Sequence, residues 1–182
     1  MICFADGELD AEARQWTWLG ISKDTYSRTV GHEAYKWRYD VEHEGFKYHG
    51  NSIMAAMGLI ALKYLDQDNA YRRQLASWYD ALLGDEICRV PVAPGCESSR
   101  HLYQVLVEPR DHVMLALNGQ QIYPGVHYRD NTLYGMYAYA RETCPRSLEA
   151  SSRLISLPLH LKLSYADVSR VSEALKQTVH RL

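Results

Sequence analysis

The sequence predicts an α/β protein that ends in a small domain built on a partly antiparallel sheet of three strands. Two observations predict this class. In the second half of the chain, strand-like and helix-like patterns alternate to the end, an order that packs helices against one small sheet. Before it, residues 53–64 repeat apolar side chains along one helical face. A loop containing Pro91 and Pro94 separates the parts, so we expect domains over residues 1–84 and 85–182.

One helix is predicted near the N-terminus. Residues 1–5 form a short apolar run with the pattern of a strand. Asp6 can then cap a helix over residues 8–19, because its carboxylate can accept a hydrogen bond from a first-turn N–H. Residues 20–49 show no sustained period, and an irregular connection of this length is uncommon unless it is functional or held by a partner.

The most regular helical pattern begins at Asn51 or Ser52. We expect it to break or bend near residues 66–69 and to be followed by a second helix over residues 70–83. Gly84 ends this second helix, because glycine readily adopts the backbone conformation of a helix C-terminus. The apolar stripe of the first helix consists of Ile53, Ala56, Met57, Ile60 and Tyr64.

Strands and helices alternate in the C-terminal part, which also contains a tyrosine-rich loop over residues 129–143. The order is compatible with a ferredoxin-like module as well. Strands are predicted over residues 101–107, 121–128 and 153–158, and helices over residues 111–117, 147–152 and 167–179.

The composition excludes several classes of protein. The 182 residues carry 20 Lys+Arg against 22 Asp+Glu, without the basic tract that follows a nucleic-acid backbone, so we expect no nucleic-acid partner. No apolar run approaches the roughly 18 to 20 residues of a membrane span, and the N-terminus lacks the pattern of a secretory signal. The 4 Cys residues lie far apart without a C-x-x-C pair, which favours a reducing cytoplasm over a disulfide framework.

Several common catalytic and ligand-binding motifs are absent. The chain has no G-x-G-x-x-G or Walker loop to cradle a phosphate, and no G-x-S-x-G nucleophile elbow. His43 and His49 are close in sequence, but the neighbouring Glu42 and Glu44 are more typical of a solvated charged face than of a metal site. We therefore expect no metal.

The segment that runs from Gly45 into the long helix is a candidate anion site. A helix N-terminus offers unpaired N–H groups and the positive end of a dipole, both of which suit a phosphate. Asn51 stands at this position, where it can donate to a phosphate oxygen or act only as the helix cap. The spacing alone favours the cap.

A second candidate site is the segment from Gly125 to Arg129. A glycine, an imidazole, a phenol and a guanidinium cluster there, where the backbone is expected to turn. Such a cluster suits a polar, anionic ligand. A strand end buried against a neighbouring domain would show the same residues, and both interpretations stay open.

Four blocks of sequence carry a family resemblance: GISKDTYSRT (20–29), YKWRYDVEHEGFKYHGNSIMAAMGLIALKYLD (35–66), GVHYRDNTLYGMY (125–137) and CPRSLEASSRLISLPLHLKLSYADV (144–168). In order and spacing they cover nearly the whole chain, which is far more specific than one motif. On these blocks the chain resembles the C-terminal part of the DegT/DnrJ/StrS family of sugar aminotransferases, enzymes that depend on pyridoxal phosphate.

The resemblance implies a fold type I aminotransferase that is active as a dimer, with its sites at the subunit interface. In such an enzyme a lysine holds pyridoxal phosphate as a Schiff base, and an amino group passes from glutamate to a keto group on a nucleotide-linked sugar. The products enter cell-surface polysaccharides or natural-product sugars.

The resemblance also implies that the lysine-bearing half lies before residue 1. Residues 1–4 would then be the last strand of the missing large domain, followed by its long helices. No lysine of this chain matches the family's catalytic position, so we expect no catalytic residue here. The chain's own lysines are Lys23, Lys36, Lys47, Lys63, Lys162 and Lys176.

Individual site residues follow from the resemblance where the motifs match. Asn51 aligns with the Asn or Ser that reaches the cofactor phosphate of the neighbouring subunit, which makes the phosphate contact its favoured role. His127 and Tyr128 align with a His-Tyr pair near the sugar-nucleotide pocket. Gly50 and Ser52 depart from the family pattern, in which a bulkier residue and an acid are usual, and they alter the expected cap geometry. Four residues lie in blocks that line the entrance, with roles that vary among members: Tyr26, Arg28, Lys47 and Tyr48.

Two functions are compatible with these residues. One is an enzyme that needs its other half, so that this chain alone would be inactive and would self-associate or form a homodimer. The other is a non-catalytic stand-alone domain that binds a nucleotide sugar or pairs with another family member. The coding sequence immediately upstream discriminates between them.

Overall fold

The computed structural model describes residues 3–21 and 40–181. Its contacts divide the chain into two compact units, Met1–Leu62 and Lys63–Leu182. The predicted domain boundary near residue 84 stays a prediction.

The first unit begins with α1 (Gly7–Thr17), which confirms the predicted N-terminal helix. The Asp6 carboxylate caps it by accepting a hydrogen bond from the Glu8 N–H at 2.7 Å. A strand was predicted just before it. Residues 3–5 lie outside any strand, and the two residues before them fall outside the described part of the chain.

Residues 46–48, near the end of the irregular connection, are held against the end of α1 by backbone hydrogen bonds. The Phe46 N–H donates to the Trp16 carbonyl at 2.7 Å, and the Tyr48 N–H donates to the Thr17 carbonyl at 3.0 Å. A Cβ at Gly45 would lie 2.0 Å from a backbone nitrogen, so this close approach of two chain segments requires glycine.

The second helix of this unit, α2 (Ser52–Leu62), is apolar and exposed along its whole length. Its sequence, SIMAAMGLIAL, contains no charged residue. Over residues 3–21 and 40–181, no helix is both long and apolar enough to cross a membrane.

The second unit opens with α3 (Leu65–Leu83). The predicted break between two helices is present, but it lies at residues 63–64 and not at residues 66–69, which are helical. Asp66 and Asp68 lie in the first turn of α3, where carboxylates face the positive end of the helix dipole. They therefore favour a helix start just before them, which moves the break toward the N-terminus. The end of α3 is as predicted, because Gly84 adopts a φ of 57° at the C-cap.

The sheet of the second unit has three strands in the order β1 (Cys88–Arg89), β2 (Tyr103–Leu106) and β3 (Leu154–Leu157). The predicted α/β class and three-stranded sheet are confirmed. Both strand pairs are antiparallel, with Val105 opposite Ile155, so the sheet is antiparallel throughout and not only in part.

The strand predicted over residues 121–128 is wrong. The Ile122 N–H bonds back to a carbonyl of the preceding helix, and Pro124 has no N–H to give to a ladder. Gly125 alone pairs with β3, through two hydrogen bonds of 2.8 and 2.9 Å with the backbone of Ser156. The two-residue β1 takes the third place in the sheet.

The three remaining helices confirm the predicted ones with slightly wider bounds. The last begins at a capping box, in which Ser164 and Asp167 bond to each other's backbone. The predicted tyrosine-rich loop forms two short 3-10 helices, Asn131–Leu133 and Gly135–Ala140. The three α-helices are α4 (Arg110–Gly119), α5 (Pro145–Arg153) and α6 (Tyr165–His180).

The core of the second unit lies between the sheet and the helices α3, α4 and α6. Tyr79 and Tyr103 stack at its centre with their ring centroids 4.7 Å apart. The Tyr79 hydroxyl donates to the Pro158 carbonyl at 2.9 Å, and the Tyr103 hydroxyl donates to the Asp80 carboxylate at 2.7 Å. Both buried hydroxyls are therefore satisfied. Burial raises the pKa of both phenols.

Candidate functional site

Asn51 caps α2 with only one of its two hydrogen-bonding groups. Its Oδ1 accepts from the Met54 N–H at 2.9 Å, and its carbonyl accepts from the Ala55 N–H at 3.0 Å. The side-chain NH2 has no partner among the described residues. The first turn of α2 contains no acid, so this N-terminus offers an anion an amide donor and a positive dipole end.

Lys47 and Tyr48 lie just before this cap, and both side chains are exposed. Lys47 forms a backbone bridge with Trp18 at the end of α1. The Tyr48 ring stacks on Phe46, with centroids 5.1 Å apart and planes 6° from parallel. The two candidate side chains therefore project from a segment whose backbone is fixed.

Two further predicted site residues, Tyr26 and Arg28, lie outside the described residues. His43 and His49 are described, and their rings contact tryptophans. The His43 ring stacks on Trp16 at 5.8 Å. Within the described ranges, no group of three or more His, Cys, Asp or Glu could hold a metal ion.

In the second unit, contacts hold both the ring and the backbone of His127. The ring Nδ1 lies 3.0 Å from the Ser156 hydroxyl. The main-chain carbonyl of His127 accepts a hydrogen bond from the Gln104 side-chain amide at 2.6 Å. The ring also lies over Gly125, where a Cβ would approach its Cε1 to 2.6 Å. The Tyr128 ring meets the His127 ring edge-on, with centroids 5.1 Å apart.

Tyr128 and Arg129 continue this segment toward solvent, and both are exposed. The Arg129 guanidinium lies over the Tyr134 ring, 5.2 Å from its centroid. A cavity of about 460 Å³ is lined by Val126, Arg129 and Arg110, among other residues. This surface combines aromatic rings with guanidinium donors, which suits an anionic, ring-containing ligand.

The buried carboxylate of Asp130 anchors the loop that follows Arg129. It accepts hydrogen bonds from the hydroxyl and the N–H of Thr132 and from the Ser147 hydroxyl at 2.7 Å. These bonds, the Thr132 hydroxyl first, lower the pKa of Asp130.

Sequence reasoning named His127 but not the residues that hold it. Ser156 and Gln104 stand 29 and 23 residues away along the chain, so no local motif links them to it. Strand alternation was the one available indication, since it places these two paired residues on one face of the sheet. The candidate residues fall into two groups, each within its own unit. Asn51 and Lys47 belong to the first unit, and the His127 segment belongs to the second.

Comparison with solved structures places this fold among the sugar aminotransferases. The chain belongs to the DegT/DnrJ/EryC1/StrS aminotransferase family, whose model matches residues 1–176. The cofactor of this family is pyridoxal phosphate.

Three relatives illustrate the match. The dTDP-4-dehydro-2,3,6-trideoxy-D-glucose 4-aminotransferase of Saccharopolyspora spinosa is 31% identical and is matched over 98% of this chain and 48% of its own length. Spr1654 from Streptococcus pneumoniae, in its PMP form, is 26% identical with a TM-score of 0.85, over 98% of this chain and 46% of its own. The aminotransferase TlmJ from Streptoalloteichus hindustanus is 27% identical with a TM-score of 0.81, over 98% and 47%. The chain thus spans about half the length of the relatives it matches.

Proposed function

We propose that these 182 residues form the C-terminal half of an aminotransferase that moves an amino group from glutamate to a nucleotide-linked keto sugar. The observation that carries the proposal is the family match over residues 1–176, together with a relative whose name gives a dTDP-linked keto sugar as substrate. The product would enter a cell-surface polysaccharide or a natural-product sugar.

Pyridoxal phosphate supplies the electron sink for amino-group exchange. In this proposal Asn51 contacts its phosphate across a homodimer interface. Two observations support this role: the side-chain NH2 of Asn51 has no partner among the described residues, and the first turn of α2 has no acid. A phosphate needs donors and no competing negative charge.

The other candidate residues are proposed as substrate contacts. We assign His127 and Tyr128 to the nucleotide-sugar pocket, supported by the fixed imidazole and the exposed phenol beside it. Lys47 and Tyr48 would line the entrance, where an exposed ammonium and a stacked ring suit a nucleotide. Tyr26 and Arg28 are proposed for the same entrance.

The Schiff-base lysine is proposed to belong to the other half of the enzyme, so that this chain is inactive alone. Three of the four described lysines, Lys47, Lys63 and Lys162, are exposed. The fourth, Lys176, pairs with Glu86 at 2.9 Å. None has the desolvated, cation-rich surroundings that activate a lysine as a nucleophile.

The four exposed free cysteines support a cytoplasmic location.

A reconstitution experiment tests the proposal. The chain is co-expressed with the product of the coding sequence immediately upstream, and amino transfer from glutamate to a dTDP-linked keto sugar is assayed. An upstream lysine-bearing half that restores turnover supports the proposal. An unrelated upstream product contradicts it, and favours the alternative of a stand-alone domain that binds a nucleotide sugar.

A further inference from the structure

The hydroxyl of Ser156 has one hydrogen-bonding partner among the described residues. Ser156 lies in β3 and is 4% exposed, and its Oγ is 3.0 Å from the Nδ1 of His127. A buried hydroxyl needs an acceptor for its proton, and the neutral imidazole has one nitrogen that accepts and one that donates. The direction of this single bond therefore decides which ring nitrogen of His127 carries the proton.

The two possible directions differ in what they leave unsatisfied. If Nδ1 donates, the buried Ser156 O–H has no acceptor among the described residues. If the Ser156 O–H donates to Nδ1, the buried hydroxyl is satisfied and the ring proton stays on Nε2. The second arrangement costs less, because an unpaired buried donor loses its hydration without compensation.

We propose that Ser156 is a positioning residue, which donates to the Nδ1 of His127 and so keeps this ring as an N–H donor at Nε2. Gln104 and Gly125 complete the arrangement. The Gln104 amide holds the His127 carbonyl at 2.6 Å, and Gly125 leaves the space that the ring occupies. Because the inference takes His127 as a substrate contact, it rests on the proposed function, in which Nε2–H would donate to an oxygen of the nucleotide sugar.

Nitrogen NMR of this chain tests the inference without any ligand. Long-range proton–nitrogen spectra of the 15N-labelled chain, recorded at alkaline pH where imidazoles are neutral, distinguish the two tautomers. A His127→Gln variant identifies the His127 signals by their loss from the spectrum. We expect the proton on Nε2 in the wild type. A wild-type proton on Nδ1 overturns the inference, whatever any variant does.

Three serine variants supply the controls. In Ser156→Ala we expect both tautomers to be populated, so that the two ring-nitrogen shifts move toward each other, and Ser156→Thr should restore the wild-type shifts. Ser152→Ala removes an exposed hydroxyl that bonds the Glu149 carbonyl at 2.7 Å, and it should leave His127 unchanged. Identical His127 shifts in the wild type and Ser156→Ala contradict a positioning role. Failure here leaves the proposed function standing, since that function fails only through the reconstituted enzyme.

Discussion

The side chain of Asn51 has two hydrogen-bonding groups, and its two possible roles use different ones. The cap uses Oδ1, and the phosphate contact uses the NH2. In the reconstituted enzyme we expect Asn51→Ala to weaken cofactor retention about ten- to a hundred-fold, since a charge-assisted hydrogen bond contributes roughly 1.5 to 3 kcal/mol. Loss of the cap should also lower the stability of the apo form by about 1 kcal/mol. Equilibrium dialysis and thermal unfolding measure the two effects separately.

Asn51→Asp separates the two roles. It keeps a cap oxygen for the Met54 N–H and replaces the donor NH2 with a charged oxygen that repels phosphate. We expect unchanged or higher apo stability with weakened cofactor retention. Asn51→Ser is the conservative control and should retain both roles in part. Unchanged cofactor affinity in Asn51→Ala and Asn51→Asp would leave Asn51 as a helix cap only.

Gly125 is required by the position of the His127 ring. A Cβ there would lie 2.6 Å from Cε1, so Gly125→Ala must displace the ring and break its bond to Ser156. We expect a loss of about 1 to 3 kcal/mol in the free energy of unfolding, measured with urea, as for other overpacked sites. Gly119→Ala is the matched control, because nothing lies within 4 Å of its Cβ position. It should stabilise α4 by up to about 1 kcal/mol. Equal effects of the two changes contradict this account.

Asp130 should make the stability of the second unit depend on pH. Hydrogen bonds from Thr132 and Ser147 lower its folded pKa, so its contribution is complete above the unfolded value of about 3.9 and is lost as pH falls through the folded value. We expect Asp130→Asn to be less stable than the wild type near neutral pH. The difference should shrink at acid pH, as the pH falls through the lowered folded pKa and the wild-type carboxyl is protonated too. Urea unfolding at both pH values checks this, and a constant difference is the contrary result.

At the scale of elements, α2 is the feature most relevant to assembly. Ile53, Met57 and Ile60 recur at helical spacing and are 74%, 66% and 58% exposed. A continuous apolar surface of this kind drives association. We therefore expect the isolated chain to self-associate in sedimentation and light-scattering experiments.

Charge on α2 should reduce this association. We expect the double variant Met57→Lys, Ile60→Glu to shift the chain toward smaller species at equal concentration. Met136→Lys is the control, because Met136 is 81% exposed but lies in a short 3-10 helix outside that surface. A monodisperse wild-type monomer at high concentration argues for an evolved stand-alone domain.

The sequence predicted those elements whose ends are defined by local chemistry. Asp6 and Gly84 gave the start of α1 and the end of α3, because a capping carboxylate and a left-handed glycine act within one turn. The strand predicted over residues 121–128 does not form, although its side chains are typical of a strand. Pro124 has no N–H to donate to a neighbouring strand, and the Ile122 N–H bonds to the preceding helix. Two-residue β1 exists only through its pairing with β2, which no local pattern indicates.

The candidate site was predictable in the same limited way. Asn51 as a cap follows from one helix turn, and the His127 segment was recognisable as a polar cluster. The Ser156 hydroxyl that holds His127 was not, because the contact joins β3 to a segment 29 residues away. Long-range contacts depend on the whole fold, and the residue types alone do not specify them.

At the scale of the molecule, the chain spans about half the length of the relatives it matches. It has two units, and each carries its own candidate ligand-contacting residues. The second unit has its own core. The first exposes an apolar helix and a cap whose side-chain NH2 has no partner in the part of the chain that the structure describes. Such a division suits a polypeptide that completes its sites with protein from outside these residues, as the proposed function requires.

Covalent trapping tests this central claim most directly. The purified chain is mixed with pyridoxal phosphate, reduced with borohydride and mapped by mass spectrometry, and amino transfer from glutamate to a dTDP-linked keto sugar is assayed in parallel. We predict no adduct specific to one of its six lysines and no turnover. With the lysine-bearing half present, we predict turnover and an adduct confined to that half. A single-lysine adduct in this chain alone, accompanied by turnover, would contradict the account.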